Sequence, residues 1–367
     1  MSTKSLAYKP VLTSCVILLA LSLLLVTGCC STKHPLPLEN QDKAEAPVFT
    51  YAPETDALCF NEIWGYVMVG RENEFSPAMP LSDVGYFVGA IGIYSEVLPV
   101  VAKEKHFAHY TGRVHLVTTV DTRAQVHVLL DPTLPLRKKL LAGLVEAAST
   151  YDGLQIDWEA IGERDIESFL SFLQELKDGL GEKTLSVALP ARTKTLTKDP
   201  FDYARIATIA DRMIIMAYDE HWSTSKPGAV ASYDWCKRIA EYTLLHVPTE
   251  KIVMGLPFYG RTWGSYTDAN RAFGMANISR LQKENGIHDS HIQRENGIPS
   301  FTYEHKTTVT VWYNDAESIR TLASLYKALG IAHIGFWRVG QEEQSIWQEL
   351  KLTQEPSEVA TEQDEKR

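Results

Sequence analysis

The sequence predicts a closed (β/α)8 barrel with a small excursion between its seventh and eighth strands. Three observations carry this prediction. Eight short runs rich in β-branched and apolar residues recur along the chain. Segments with helical periodicity lie between them, the pattern of βα units around a parallel sheet. Residues Asp152 to Glu159 read D-G-L-Q-I-D-W-E, a strand with two acids at its C-terminal end, which is where a barrel of this kind carries its chemistry.

Expected strands are Ile63–Gly70, Gly85–Ile93, Val114–Val120, Leu154–Trp158, Leu185–Leu189, Met213–Tyr218, Ile252–Pro257 and His333–Trp337. Two helices are plain between them. Leu140, Leu141, Leu144, Val145 and Ala148 form one apolar stripe, and Ile166, Phe169, Leu170, Leu173 and Leu176 form another. An open doubly wound sheet is the alternative arrangement of such units. From Thr262 to Thr308 the rhythm breaks, with Glu-Asn-Gly-Ile occurring at 284–287 and again at 295–298. Asn-Gly is a turn signal, so this stretch reads as an excursion from the barrel rim.

The ends read differently from the body. Lys4 and Lys9 precede an apolar run from Val16 to Val26, then Thr27-Gly28-Cys29. That run is shorter than the roughly 20 residues of a transmembrane helix and has the layout of an export signal. Val26-Thr27-Gly28-Cys29 resembles the bacterial lipobox, which implies cleavage after residue 28 and a lipid on Cys29; an uncleaved signal anchor is the alternative. Residues 29–57 are rich in Pro, Glu and Lys and read as a tether, with the barrel at 58–351 and a charged, disordered tail at 352–367. Cys59 and Cys236 are the cysteines left in the body, and sequence does not say whether they pair.

A formal charge of −10 argues against nucleic acid or anionic lipid headgroups as the main partner. No C-x-x-C pair or clustered histidines suggest a metal. His221 stands beside Asp219 and Glu220 and reads as a rim histidine. No Gly-rich phosphate loop and no G-x-S-x-G elbow occurs, which removes nucleotide and serine-hydrolase chemistry.

In the octapeptide, Gln155, Asp157 and Glu159 alternate with Leu154, Ile156 and Trp158. On a strand this puts the amide and both carboxyls on one face and three apolar groups on the other. Acids so close on an apolar strand are costly unless paired or used. An ionised Asp157 beside Glu159 would raise the Glu159 pKa and keep it protonated, as a general acid requires.

The octapeptide closely resembles the D-x-D-x-E signature of glycoside hydrolase family 18, the chitinase-type enzymes. Other segments fall in the family's order over residues 58–350: Gly65-Tyr66, Met216-Ala217-Tyr218-Asp219, Gly255-Leu256-Pro257-Phe258-Tyr259-Gly260-Arg261 and Gly335-Phe336-Trp337. Asp219-Glu220-His221-Trp222 followed by Pro227-Gly228 is most similar to the bacterial spore-cortex and peptidoglycan N-acetylglucosaminidase branch. The resemblance implies a retaining, substrate-assisted glycosidase that needs no metal or organic cofactor. Its catalytic residues would be Glu159 as acid/base, Asp157 as partner of the substrate acetamide and Tyr218 as the orienting phenol. Tyr66, Gln155, Met216, Asp219, Tyr259, Arg261 and Trp337 would bind the N-acetylglucosamine glycan, Trp337 as the floor of the sugar site.

Two departures stand out. Gln155 replaces a third acid common in the family, which puts the pH optimum in doubt; the spore-cortex-like branch often has an amide there, able to hydrogen-bond Asp157. Thr118-Thr119-Val120-Asp121 stands where chitinases carry S-x-G-G, which puts substrate identity in doubt. Some chitinases carry a sizeable α+β insertion between strands seven and eight; the excursion here is expected to be smaller and the groove shallower. A catalytically silent glycan-binding lipoprotein is the second reading, opposed by the intact Glu159, Asp157 and Tyr218. A scaffold for protein contacts is the third, opposed by the aromatics Tyr66, Tyr259 and Trp337 at strand ends. Peptidoglycan, chitin-like polymers and N-glycans are the alternative substrates.

Overall fold

A computed structural model describes Phe49 and residues 51–353 except 93–95, 99–101, 121, 266–269 and 306. The signal segment, Cys29 and most of the tail lie outside the described residues.

The eight expected strands all form, each within a few residues of its predicted span. They are β1 (Glu62–Met68), β2 (Asp83–Ile91), β3 (Arg113–Thr119), β4 (Gly153–Asp157), β5 (Thr184–Pro190), β6 (Arg212–Met216), β7 (Ile252–Pro257) and β8 (His333–Trp337). Each is parallel to the next, and β1 pairs with both β2 and β8, which closes the barrel. The two apolar stripes become helices Pro135–Ala147 and Ile166–Leu180.

Burial explains why β4 alternates as it does. Leu154, Ile156 and Trp158 are fully buried between the sheet and its helices, where Trp158 stacks on Phe172 with ring centroids 5.1 Å apart. Gln155 lies on the opposite, inward face. The barrel interior is filled by Trp64, Tyr66, Val117, Ala188, Ile214 and Val253, so the strands enclose a packed core.

A buried ionic network closes the end of the barrel where the strands begin. Glu62 accepts from Arg212 at 2.6 Å, Arg113 at 2.7 Å and the Trp64 indole at 2.9 Å. Burial alone would raise the Glu62 carboxyl, but those hydrogen bonds and the two guanidinium charges hold it down at about 2. The buried Asp83 takes Arg113 at 2.8 Å and His115 at 2.7 Å. Such pairing is what permits charge at this depth.

The excursion runs beyond its expected span and forms an α+β unit. An antiparallel sheet joins Tyr259–Trp263, Ala272–Gly274, Gln293–Glu295, Ile298–His305 and Thr307–Trp312, with helix Met275–Glu284 packed against it. Met275, Ile278, Phe301, Val309, Val311 and Tyr313 make its own core. The two Glu-Asn-Gly-Ile copies do different work. In the first, Gly286 (φ +63°) ends the helix, and Ile287 N–H donates back to the Gln282 carbonyl at 2.8 Å. In the second, Asn296 (φ +49°) and Gly297 (φ +85°) are the central residues of a tight hairpin turn, the two left-handed positions that Asn-Gly supplies.

The last part of the expected tether is tied to the body. Tyr51 donates to the Leu350 carbonyl at 2.7 Å, and Arg320 reaches Asp56 at 2.6 Å. Leu58–Phe60 then pairs in parallel with Leu350–Leu352. Cys59 and Cys236 are both free thiols, Cys236 buried in helix Tyr233–Leu244. Among the described residues no helix is long and apolar enough to cross a membrane.

Candidate active site

A cavity of about 250 Å³ opens beyond the C-terminal strand ends, lined by Asp157, Glu159, Met216, Tyr218, Asp219, Tyr259, Arg261, Ala272, Trp337 and Gln341. Eight of these ten come from the residues singled out in the sequence. Ala272 and Gln341 do not, and no sequence signal marks them. Gln341 lines the cavity because the loop after β8 is pinned to the insertion, where Met275 N–H donates to the Gln341 carbonyl at 2.7 Å.

Tyr66 and Gln155 sit beneath the cavity and not in its lining. Both are buried, at 3% and 1% exposure, so Tyr66 offers no face for a sugar ring. Its ring instead supports Trp337 at 5.7 Å, and Phe87 meets Trp337 edge-on at 4.9 Å. Phe87 was not foreseen. These two rings fix the indole that floors the cavity. The Tyr66 hydroxyl donates to Gln155 Oε1 at 3.0 Å, and Ser186 donates to the same oxygen at 3.4 Å.

Gln155, able to hydrogen-bond Asp157, bonds Tyr66 and Ser186 instead. Asp157 Oδ1 is buried and has no protein partner. A carboxylate oxygen left in this state resists ionisation, and the Asp157 pKa is raised from 3.8 to about 7, first by burial and then by the charge of Glu159. Glu159 is raised too, by burial and then by Asp219. After burial, the charge that acts on Glu159 most is that of Asp219. Both acids lie on the same strand end, so their titrations belong to the group and not to one residue.

Asp219 earns that influence from its setting. Its backbone is left-handed (φ +60°), a conformation Asp tolerates better than most residues. Its carboxylate accepts from Arg261 Nε and a terminal nitrogen, each at 2.9 Å, and from the Tyr259 hydroxyl at 2.6 Å. The two-pronged guanidinium contact fixes the position of the Asp219 carboxylate. The Tyr218 phenol is pushed well above its usual pKa, chiefly by burial, so it is a hydrogen-bond donor at any working pH. Gly255 makes room for it: a Cβ there would lie 3.0 Å from the Tyr218 ring and 2.7 Å from the Ile215 carbonyl. The pocket thus combines two carboxyls of raised pKa, a phenol donor, a carboxylate fixed by Arg261 and Tyr259, and an indole floor.

A family model for glycosyl hydrolases family 18 matches residues 135–342. Among similar proteins, the putative sporulation-specific glycosylase YdhD of Bacillus subtilis is 31% identical over 223 residues, 58% of this chain and 52% of that one. The cortical fragment-lytic enzyme of Bacillus anthracis is 27% identical over 239 residues, 61% of this chain and 54% of that one. The chain thus spans only about half the length of these curated relatives. The crystal structure of the spore cortex-lytic enzyme SleL of Bacillus cereus superposes with a TM-score of 0.72 at 21% identity, over 82% of this chain and 76% of that one, a likeness of fold.

Proposed function

The chain belongs to the glycosyl hydrolases of family 18, and we propose that it hydrolyses β-linked N-acetylglucosamine glycans with retention, using the substrate's own acetamide as nucleophile. In this reading Glu159 protonates the leaving oxygen. The acetamide carbonyl attacks the anomeric carbon, and water, deprotonated by Glu159, opens the resulting oxazolinium ion. Asp157 accepts the acetamide N–H and stabilises the charge that develops there, while Tyr218 orients the carbonyl.

The observation that carries this reading is the orphaned Asp157 oxygen in a pocket floored by Trp337. A buried acceptor with no protein donor is costly. A substrate N–H delivered against it would supply the missing bond at the reacting position. The pairing of Asp157 with Glu159 and Tyr218 in one cavity supports catalysis over silent binding.

Peptidoglycan-type strands are the favoured substrate, because the similar proteins named above include a cortical fragment-lytic enzyme and a sporulation glycosylase. The test is mass spectrometry, with time-resolved proton NMR of the anomeric signals, on products from the full chain incubated with muropeptide glycan strands and with chitooligosaccharides. Fragments ending in N-acetylglucosamine, released with β-configuration, are expected, and faster from the muropeptide strands. Inverted products, or none from either glycan, would overturn the reading.

The protein is further proposed to act from a membrane as an exported lipoprotein, in the outer membrane if the cell has one, on the strength of Val26-Thr27-Gly28-Cys29. Cys29→Ser is expected to release it from the membrane fraction with specific activity unchanged. An unmodified mature N-terminus in mass spectrometry would end this part of the proposal.

A further inference from the structure

A second cavity, of about 270 Å³, lies between the barrel and the insertion. Its barrel side is the loop after β6, with Glu220, His221 and Lys226; its insertion side includes Glu295, Asn296 and Trp312. It shares a wall with the reacting pocket. Arg261 and Trp312 are opposite one another on neighbouring antiparallel strands, so their side chains stand on one face of that sheet. Arg261 lines the first cavity and Trp312 the second. Asp219 and its neighbour Glu220 are divided in the same way.

The lining has a definite chemistry. The His221 ring lies against Gly228, where a Cβ would come within 2.5 Å of it. His221 Nδ1 is 2.9 Å from the Ala229 carbonyl. A carbonyl only accepts, so Nδ1 carries the proton, and in the neutral imidazole Nε2 is left as an acceptor. Asn296, at the tip of the Asn-Gly hairpin, donates to Asp234 at 3.4 Å and spans the gap between insertion and barrel. The Trp312 indole, half-buried, supplies an aromatic surface. What separates this cavity from a solvated acidic surface is that ring and the fixed imidazole.

Aromatic surface beside carboxylate, amide and imidazole acceptors suits a sugar ring, whose C–H face is apolar and whose edge is hydroxyl donors. Three acids, Glu220, Asp234 and Glu295, against Lys226 leave the lining net negative, which disfavours phosphate or carboxylate ligands. We infer that this cavity is an accessory site for a neutral sugar residue outside the bond being cleaved. The inference rests on the glycan reading of the first pocket and adds a second point of attachment beside it. Long strands engage both cavities and gain from the shared tether; a trimer occupies one or the other.

The test uses the full chain carrying Glu159→Gln, which stops turnover, titrated calorimetrically with triacetylchitotriose. Two sites per chain are expected, and one when Trp312→Ala is added. Asp234→Asn, an exposed change that leaves the fold alone, should weaken the second site several-fold. In otherwise unaltered protein, Trp312→Ala should raise KM for long strands by about tenfold, the scale of one lost stacking contact, with kcat within twofold. On the trimer the same variant should change KM by less than twofold. A single site in the Glu159→Gln protein, or equal losses on trimer and long strands, would overturn the accessory site and leave the glycosidase reading intact. Absence of turnover of any N-acetylated glycan by the unaltered protein would overturn both.

Discussion

Glu159→Gln is expected to lower kcat by roughly 10²–10⁴, the usual cost of losing general acid catalysis, while glycan affinity stays within a few-fold. The amide keeps the size of the carboxyl and its hydrogen-bonding reach but has no proton to give the leaving oxygen. The effect should concentrate in kcat, because the contact is made with an atom that changes charge only during bond breaking. The pH profile offers a second readout. Burial and the Asp219 charge both raise the Glu159 pKa, so the unaltered protein should lose activity as pH rises and the acid gives up its proton. In Glu159→Gln that limb should disappear from the residual rate. A variant with near-normal kcat, or one that keeps the alkaline limb, would remove Glu159 from the role of acid. A covalent sugar ester on any Asp or Glu of the unaltered protein would remove substrate assistance.

The barrel was legible because each strand is a short β-branched run and each clear helix an apolar stripe, and periodicity reports burial directly. The catalytic acids were legible for a related reason: Asp157 and Glu159 interrupt an apolar strand at its C-terminal end, and burial makes such residues expensive. Other features depend on what meets across space. Nothing in the order of residues shows that Gln155 bonds Tyr66 and Ser186 instead of Asp157, since the choice is made by three different strands. The prominence of Asp219 was hidden in the same way, because its carboxylate is fixed by Tyr259 and Arg261 from another segment. The architecture of the insertion is hidden in the sequence because its strands are short and its core is assembled from separate pieces, Met275, Phe301 and Val311 among them. Ala272 and Gln341 reach the cavity only through that assembly.

Asp157→Asn should nearly abolish turnover while making the fold more stable above neutral pH. The two effects have one origin. In the folded protein Asp157 titrates at about 7 against an ordinary 3.8, so the native state binds a proton that the unfolded chain has already released. Stability from this group is therefore fully present below the unfolded value and is lost as pH rises from about 4 through 7. The loss amounts to at most about 4 kcal/mol for a shift of this size, and less in practice because Glu159 shares the titration. Asn carries no charge to bury, so the variant should melt at a higher temperature than the parent at pH 8 and at nearly the same temperature at pH 4. The same substitution removes the acceptor that holds and polarises the acetamide N–H during attack. A substrate without its N-acetyl group should likewise hardly react with the unaltered protein, even where it binds, because the attacking oxygen is gone. A thiazoline mimic of the oxazolinium ion should compete with substrate in the unaltered protein and bind much more weakly to Asp157→Asn. Comparable turnover of N-acetylated and de-acetylated glycans would sink the substrate-assisted mechanism. A variant that is inactive yet no more stable at pH 8 would show that Asp157 is not the carboxyl whose burial the fold resists.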